Sequence, residues 1–159
     1  MKATIKFNGK EYDAVLIEKK SESKRWKPEL GEYYYFVDMF GCIDSSSWDN
    51  DAVDTVDNFR YSQRNVFKTE EEAEKHLEYL KSLAILRDDA GDWEPDWKNT
   101  RQNKYSIRFE YSQSSLGLYV DASVWLQSLD IYFETQEAAQ KSIDDHKEHW
   151  LRVLGVEEK

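Results

Sequence analysis

Two stretches of this 159-residue chain repeat one another 66 residues apart. Phe67-Lys68-Thr69-Glu70-Glu71-Glu72-Ala73 and Phe133-Glu134-Thr135-Gln136-Glu137-Ala138-Ala139 share the pattern F-x-T-x-E-x-A. Each position has a physical task. The Phe closes an apolar, strand-like run. The Thr side chain accepts a backbone N–H at a helix start, the Glu sits in the first turn against the positive end of the helix dipole, and the Ala opens the buried stripe. Ahead of each copy lie strand-like runs that open on a Tyr-rich segment, at Tyr33 and at Tyr105. The pattern predicts an α+β fold of antiparallel strands with two helices. These form two related β-β-(β)-α units, residues 26–90 and 104–155, packed as a single domain behind an N-terminal β-hairpin at residues 1–20.

The hairpin rests on Asn8-Gly9 between Thr4 to Phe7 and Tyr12 to Ile17, since both central residues of a type I′ turn need positive φ. Lys19 to Arg25 reads as a basic linker into Trp26-Lys27-Pro28. In the first unit Tyr33 to Val37 is aromatic and β-branched, hence a strand. Gly41 lies near a turn, Cys42 to Trp48 returns antiparallel, Asp49 to Asn58 is an acidic loop, and Val66-Phe67 is a short strand. Thr69 and Glu72 form a capping box. The helix behind it is expected to run to about Arg87, with Ala73, Leu77, Leu80 and Ala84 as its apolar stripe and Asp88 to Gly91 as its end. In the second unit Tyr105 to Tyr111, Leu116 to Ala122 and Val124 to Phe133 read as strands, with a turn at Ser112 to Ser115. The last helix carries Ala139, Ile143, Trp150 and Leu154, with His146 on the same face and Gly155 as its stop.

The chain is 40% apolar with 6 Trp, 10 Tyr and 7 Phe, which a disordered chain lacks. A single cysteine rules out an intrachain disulfide framework and fits a reducing cytoplasm. The first residues, Met1 to Lys6, lack the apolar core of a signal peptide, and no run is apolar enough for a membrane span. The net charge of −10 argues against a general nucleic-acid-binding or anionic-lipid-binding surface and favours a basic partner. The charge is concentrated. Residues 1–25 carry 7 basic and 4 acidic groups, residues 26–97 carry 7 and 18, and residues 98–159 carry 8 and 10. The acidity therefore belongs to the middle of the chain.

Two loops hold most of it. Asp44, Asp49, Asp51, Asp54 and Asp57 fall within 14 residues, on either side of Trp48. A calcium loop wants alternating ligands, then Gly, then a distant Glu, yet Val53 and Asp54 occupy the third ligand and glycine places. No Lys or His stands beside the cluster, as a metal-dependent nuclease would want. The second loop, Asp88 to Trp97, sets Trp93 and Trp97 among carboxylates that include Asp96. Trp is a frequent interface anchor, and the alternative is that both rings fold back on the core. The expected partner-binding residues are therefore Trp48, Asp49, Asp51, Asp54, Asp57, Trp93, Asp96 and Trp97.

His146 and His149 are spaced i, i+3 rather than the i, i+4 of a helical zinc pair, so a packed His146 and an exposed His149 are expected. His76 lies beside its helix's stripe with no catalytic partner. Cys42 reads as a small buried residue. The lysines of the N-terminal hairpin read as a solvated surface. No phosphate loop or nucleophile elbow is present. The expectation is a non-enzymatic protein with no catalytic residues, no metal and no cofactor.

Beyond these features the middle of the chain resembles small proteins encoded by phages and prophages of Gram-positive bacteria. The resemblance is carried by Trp26-x-Pro28-x-x-Gly31-Glu32-x-Tyr34-Tyr35, Trp48-x-Asn50-Asp51, and Asn65-x-Phe67-x-Thr69-x-Glu71-Glu72-Ala73-Glu74. It continues through Asp96-Trp97-x-Asn99-x-x-Gln102-x-Lys104-Tyr105 and Tyr132-Phe133-x-Thr135, covering about residues 26–143. One departure stands out: Arg64 occupies a place where the group commonly has Gly. Accessory proteins of this kind include anti-CRISPR proteins, and the length, acidity and extra hairpin resemble the staphylococcal type II-A members that inhibit Cas9. The resemblance implies a cytoplasmic inhibitor in the bacterial host, monomeric or weakly dimeric, that binds Cas9 stoichiometrically. Because the acids are interrupted by Trp, Val and Asn and limited to the middle third, the expected mechanism is restraint of the HNH nuclease domain, with no direct contact to nucleic acid or membrane. Three alternatives are an acidic DNA mimic that blocks DNA binding, an accessory protein for another host protein, and a metal-dependent hydrolase using the Asp49 to Asp57 cluster. The N-terminal hairpin, outside the shared region, is an alternative contact surface.

Overall fold

The computed structural model describes residues 2–7, 10–15, 25–49, 55–121 and 131–156. The architecture is α+β, with antiparallel strand pairs and, among the described residues, three helices. Strands β1 (Lys2–Phe7) and β2 (Lys10–Val15) pair antiparallel, with Phe7 opposite Lys10. The expected Asn8-Gly9 turn and the 16–24 linker lie outside the described residues.

In the first unit β3 (Tyr33–Val37) pairs with β4 (Ile43–Ser47). Alternation along β3 sends Tyr34 and Phe36 into a core with Trp48 and Val66, against which Trp26 and Tyr61 pack. The proposed short strand is a single antiparallel bridge. Tyr35 and Phe67 exchange both backbone hydrogen bonds at 2.9 Å. Between β4 and that bridge the expected loop is partly helical. Helix α1 (Val56–Ser62) starts at Thr55, whose hydroxyl accepts the Asn58 N–H. Sequence periodicity could not reveal it, because α1 buries Asp57 and turns Val56 and Phe59 outward.

Helix α2 (Glu70–Ala90) starts at Thr69 as the capping box requires. Thr69 Oγ1 accepts the Glu72 N–H, while Glu72 Oε2 accepts the N–H of Lys68, one residue before the cap. It runs three residues past Arg87, to Gly91 at φ +67°. Its expected stripe is half right. Ala73 is buried and Leu77 half-buried, but Leu80 and Ala84 are exposed, and the rest of the buried face is Tyr79, Ser82, Leu83 and Leu86. The cause is a change of neighbour: the first half faces its own strand pair, whereas Leu86 joins the core of the second unit.

The second unit repeats the plan. Strands β5 (Lys104–Glu110) and β6 (Ser115–Asp121) pair antiparallel. Tyr105 and Phe133 form the bridge equivalent to Tyr35 and Phe67. Most of the expected third strand, residues 124–130, lies outside the described residues. Helix α3 (Gln136–Val153) begins at Thr135, which has the same φ −128°, ψ 155° as Thr69 and accepts the Ala138 N–H. Ala73 and Ala139 are both fully buried. Gly155, at φ +68°, ends α3 in a Schellman motif: its N–H reaches Arg152 O, and Val156 N–H reaches Leu151 O.

Helices α2 and α3 meet along a polar seam. Asp89 Oδ2 accepts the Ser142 hydroxyl at 2.6 Å and lies 2.7 Å from His146 Nδ1, while Trp150 Nε1 donates to Ser142 Oγ. Further along, Ser82 Oγ donates to Glu78 O, accepts from Arg152, and sits 3.0 Å from His149 Nδ1. His149 is therefore half-buried rather than exposed as expected. His146, also half-buried, has non-helical φ/ψ and kinks α3 where it reaches Asp89. No helix among the described residues is long and apolar enough to cross a membrane.

Candidate partner-binding surface

The residues singled out for partner binding divide sharply by burial. Trp48 follows β4 and is fully buried. Its ring packs edge-on against Tyr34 at 5.9 Å and Tyr61 at 6.1 Å, and Lys27 Nζ lies 4.9 Å from its centre. Trp48 is thus a core residue, which corrects its place among the contacts. Aromatic character alone does not distinguish a core ring from an interface ring.

Asp57 is likewise internal. It accepts the Tyr34 hydroxyl at 2.6 Å on Oδ1 and the Asp49 N–H at 3.0 Å on Oδ2. Arg60 completes the group. Its guanidinium lies 3.5 Å from the centre of the Phe36 ring and donates to the Tyr34 oxygen at 2.9 Å. Burial pushes the Tyr34 phenol above its ordinary pKa, and the hydrogen bond to Asp57 pushes it further. The carboxylate ties the start of α1 back to the end of β4. In the first unit's patch Asp49 remains exposed, its Oδ1 accepting the Ser47 hydroxyl. Asp51 and Asp54 lie outside the described residues.

The second loop is bound to the second unit. Trp97 packs edge-on against the buried Tyr132 at 5.0 Å, with Lys104 Nζ 5.4 Å from its ring. Lys104 is fully buried and donates to Asn99 O and Gln102 O, so it organises the 99–102 turn. Asp96 is exposed. It accepts the Lys98 N–H, and its own N–H donates to Gln102 Oε1. Trp93 is half-buried and borders a cavity of about 510 Å³ with Arg87, Asp88, Asp92, Pro95 and Ile131. Asp96 and the open side of Trp93 therefore face outward, while much of Trp97 serves packing.

The surface also shows what the sequence reading missed. Val56 and Phe59 of α1 are exposed, as are Met39 and Phe40 in the β3–β4 turn. Cys42, expected to be buried, is exposed beside that turn. No signal in the sequence marks these residues, because their exposure depends on which side of a short element meets the core. His76 packs between Phe67 and Tyr79, and burial lowers its pKa. Among the described residues no three His, Cys, Asp or Glu side chains are grouped to hold a metal ion.

No protein-family model matches the chain, and neither any curated protein nor any solved structure shows significant similarity to it.

Proposed function

We propose that the chain inhibits a type II Cas9 by stoichiometric protein–protein binding, restraining the HNH nuclease domain so that target DNA is bound but not cut. The observation that carries the protein-binding part of this reading is the inversion of α1. At the end of the acidic segment, Asp57 and Arg60 turn inward to Tyr34 while Val56 and Phe59 turn to solvent. An apolar pair beside an acidic stretch suits a protein surface with basic groups around an apolar centre. The Cas9 identity rests on the resemblance of residues 26–143 to phage accessory proteins, together with the net charge of −10.

The geometry favours local docking over DNA mimicry. A mimic needs a continuous array of free carboxylates spaced like phosphates. Here Asp57 is internal, Glu72 is bonded to the N–H of Lys68, and Glu71 pairs with Lys75 at 2.8 Å. Guide-loaded Cas9 mixed with the protein should retain labelled target duplex in a mobility-shift assay while cleavage falls with a one-to-one end point. Loss of duplex binding would transfer support to the mimic. Unchanged binding and cleavage across several type II Cas9 proteins would remove the reading.

A further inference from the structure

The β3–β4 turn puts two of the chain's largest apolar side chains in water. Met39 is 88% exposed and Phe40 82% exposed. They do not hang from a loose loop. Asp38 Oδ1 accepts the N–H groups of Phe40 at 2.9 Å and Cys42 at 2.7 Å. Asp38 N–H donates to Cys42 O, Gly41 N–H donates to Asp38 O, and Gly41 takes φ +74°, which a glycine adopts without a Cβ penalty. Four hydrogen bonds within five residues hold the pair in place, so little backbone entropy remains to be lost on docking.

The fold does not require this chemistry. The equivalent turn of the second unit, between β5 and β6, is Tyr111-Ser112-Gln113-Ser114. There Ser112 bonds to Glu110, and Tyr111 rests against Phe109 at 5.0 Å. Tyr111 is itself 75% exposed, but the residues that follow it at the tip, Ser112 and Gln113, are polar where the first turn sets Met39 and Phe40.

We infer that Met39 and Phe40 form a preformed apolar knob that inserts into a concave apolar pocket, rimmed by basic side chains, on the protein partner. The shape is convex, so it encloses no small ligand. Asp44 is exposed on the adjoining strand, and the −10 on each molecule opposes a second copy or an anionic lipid surface as the occupant. A large aromatic side chain with a flexible thioether beside it suits such a pocket. This inference rests on the reading of the chain as a Cas9-binding inhibitor and names the contact through which it acts.

Cys42 supplies a native probe, because it is the chain's single cysteine and lies two residues from Phe40. Wild type and the double variant Met39→Ser/Phe40→Ser are first compared by thermal unfolding, where equal midpoints are expected, since both side chains are solvated. Each is then titrated against guide-loaded Cas9, and the alkylation rate of Cys42 by N-ethylmaleimide is measured in free and bound wild type. The expected result is roughly tenfold or greater loss of affinity in the variant and slowed alkylation in the complex. Wild-type binding with unchanged alkylation and undiminished variant affinity overturns the knob and leaves the inhibitor reading standing. Absence of wild-type binding removes both. A wild-type dimer that the variant abolishes, or wild-type binding to phosphatidylcholine vesicles, assigns the knob to another occupant and overturns the inference.

Discussion

The carboxamide of Asn65 satisfies both backbone groups of Val37. Val37 N–H donates to Asn65 Oδ1 at 2.8 Å, and Asn65 Nδ2 donates to Val37 O at 2.7 Å. One side chain thus stands in for the next strand at the end of β3. In the second unit the matching positions are Ile107 and Ile131, both buried in its apolar core. Asn65→Leu removes the donor and the acceptor together and leaves two backbone groups short of partners. The expected loss is about 1–3 kcal/mol by urea unfolding, with faster amide exchange at Val37. Wild-type exchange at Val37 would show that the pair carries no load.

Arg64 precedes that clip in the left-handed region, at φ +61°. Its N–H reaches Tyr61 O, and the Asn65 N–H reaches Arg60 O, which is the Schellman ending of α1. A side chain with a Cβ is strained there, and Gly takes this conformation without that strain. Arg64→Gly should raise stability by about 0.5–1 kcal/mol, read as a higher urea midpoint. A lower midpoint would mean that the Arg64 side chain contributes more than the strain costs.

Tyr34 donates to a buried carboxylate, and its folded pKa lies above the ordinary 10.0. The folded state therefore keeps the phenol proton at a pH where the unfolded chain releases it. The stabilisation is complete below about pH 10 and is lost as pH rises through the raised value. Tyr34→Phe should cost about 1–3 kcal/mol at neutral pH, because Asp57 loses a donor, and the gap to wild type should narrow above about pH 10. A constant gap between pH 8 and about pH 11 would contradict the assignment.

His76 tests the opposite sign. Burial between Phe67 and Tyr79 lowers its folded pKa below 6.5. The unfolded chain then binds a proton first, so this contribution is present above about pH 6.5 and falls as pH drops through the folded value. Proton NMR should place the His76 midpoint below 6.5. His76→Phe should flatten the stability profile just under that pH. A midpoint at or above 6.5 would mean that the ring is solvated.

Much of the fold was legible from short-range chemistry. The F-x-T-x-E-x-A echo placed both Thr caps and both buried Ala residues, because cap, dipole and first stripe position are all local. Tyr33 to Val37 was readable as β3 for the same reason. Helix α1 was hidden because Tyr34, 23 residues away, draws Asp57 inward and leaves Phe59 outside. The second half of α2 was misphased because its neighbour there is α3 rather than its own sheet. Among the residues singled out for partner binding, the sequence did not separate core from surface. Trp48, Asp57 and much of Trp97 are occupied in packing, whereas Asp49 and Asp96 remain outward and the Met39–Phe40 knob carried no pattern to find.

The central claim is that the protein binds Cas9 and blocks cutting without blocking DNA engagement. Titrating it into a fixed concentration of guide-loaded Cas9, with target binding and strand cleavage read from the same samples, tests that claim most directly. The account predicts that cleavage falls to its floor at one equivalent while target binding stays within about twofold of its uninhibited value. Cleavage that persists at several equivalents, or that falls only in step with lost target binding, would contradict it.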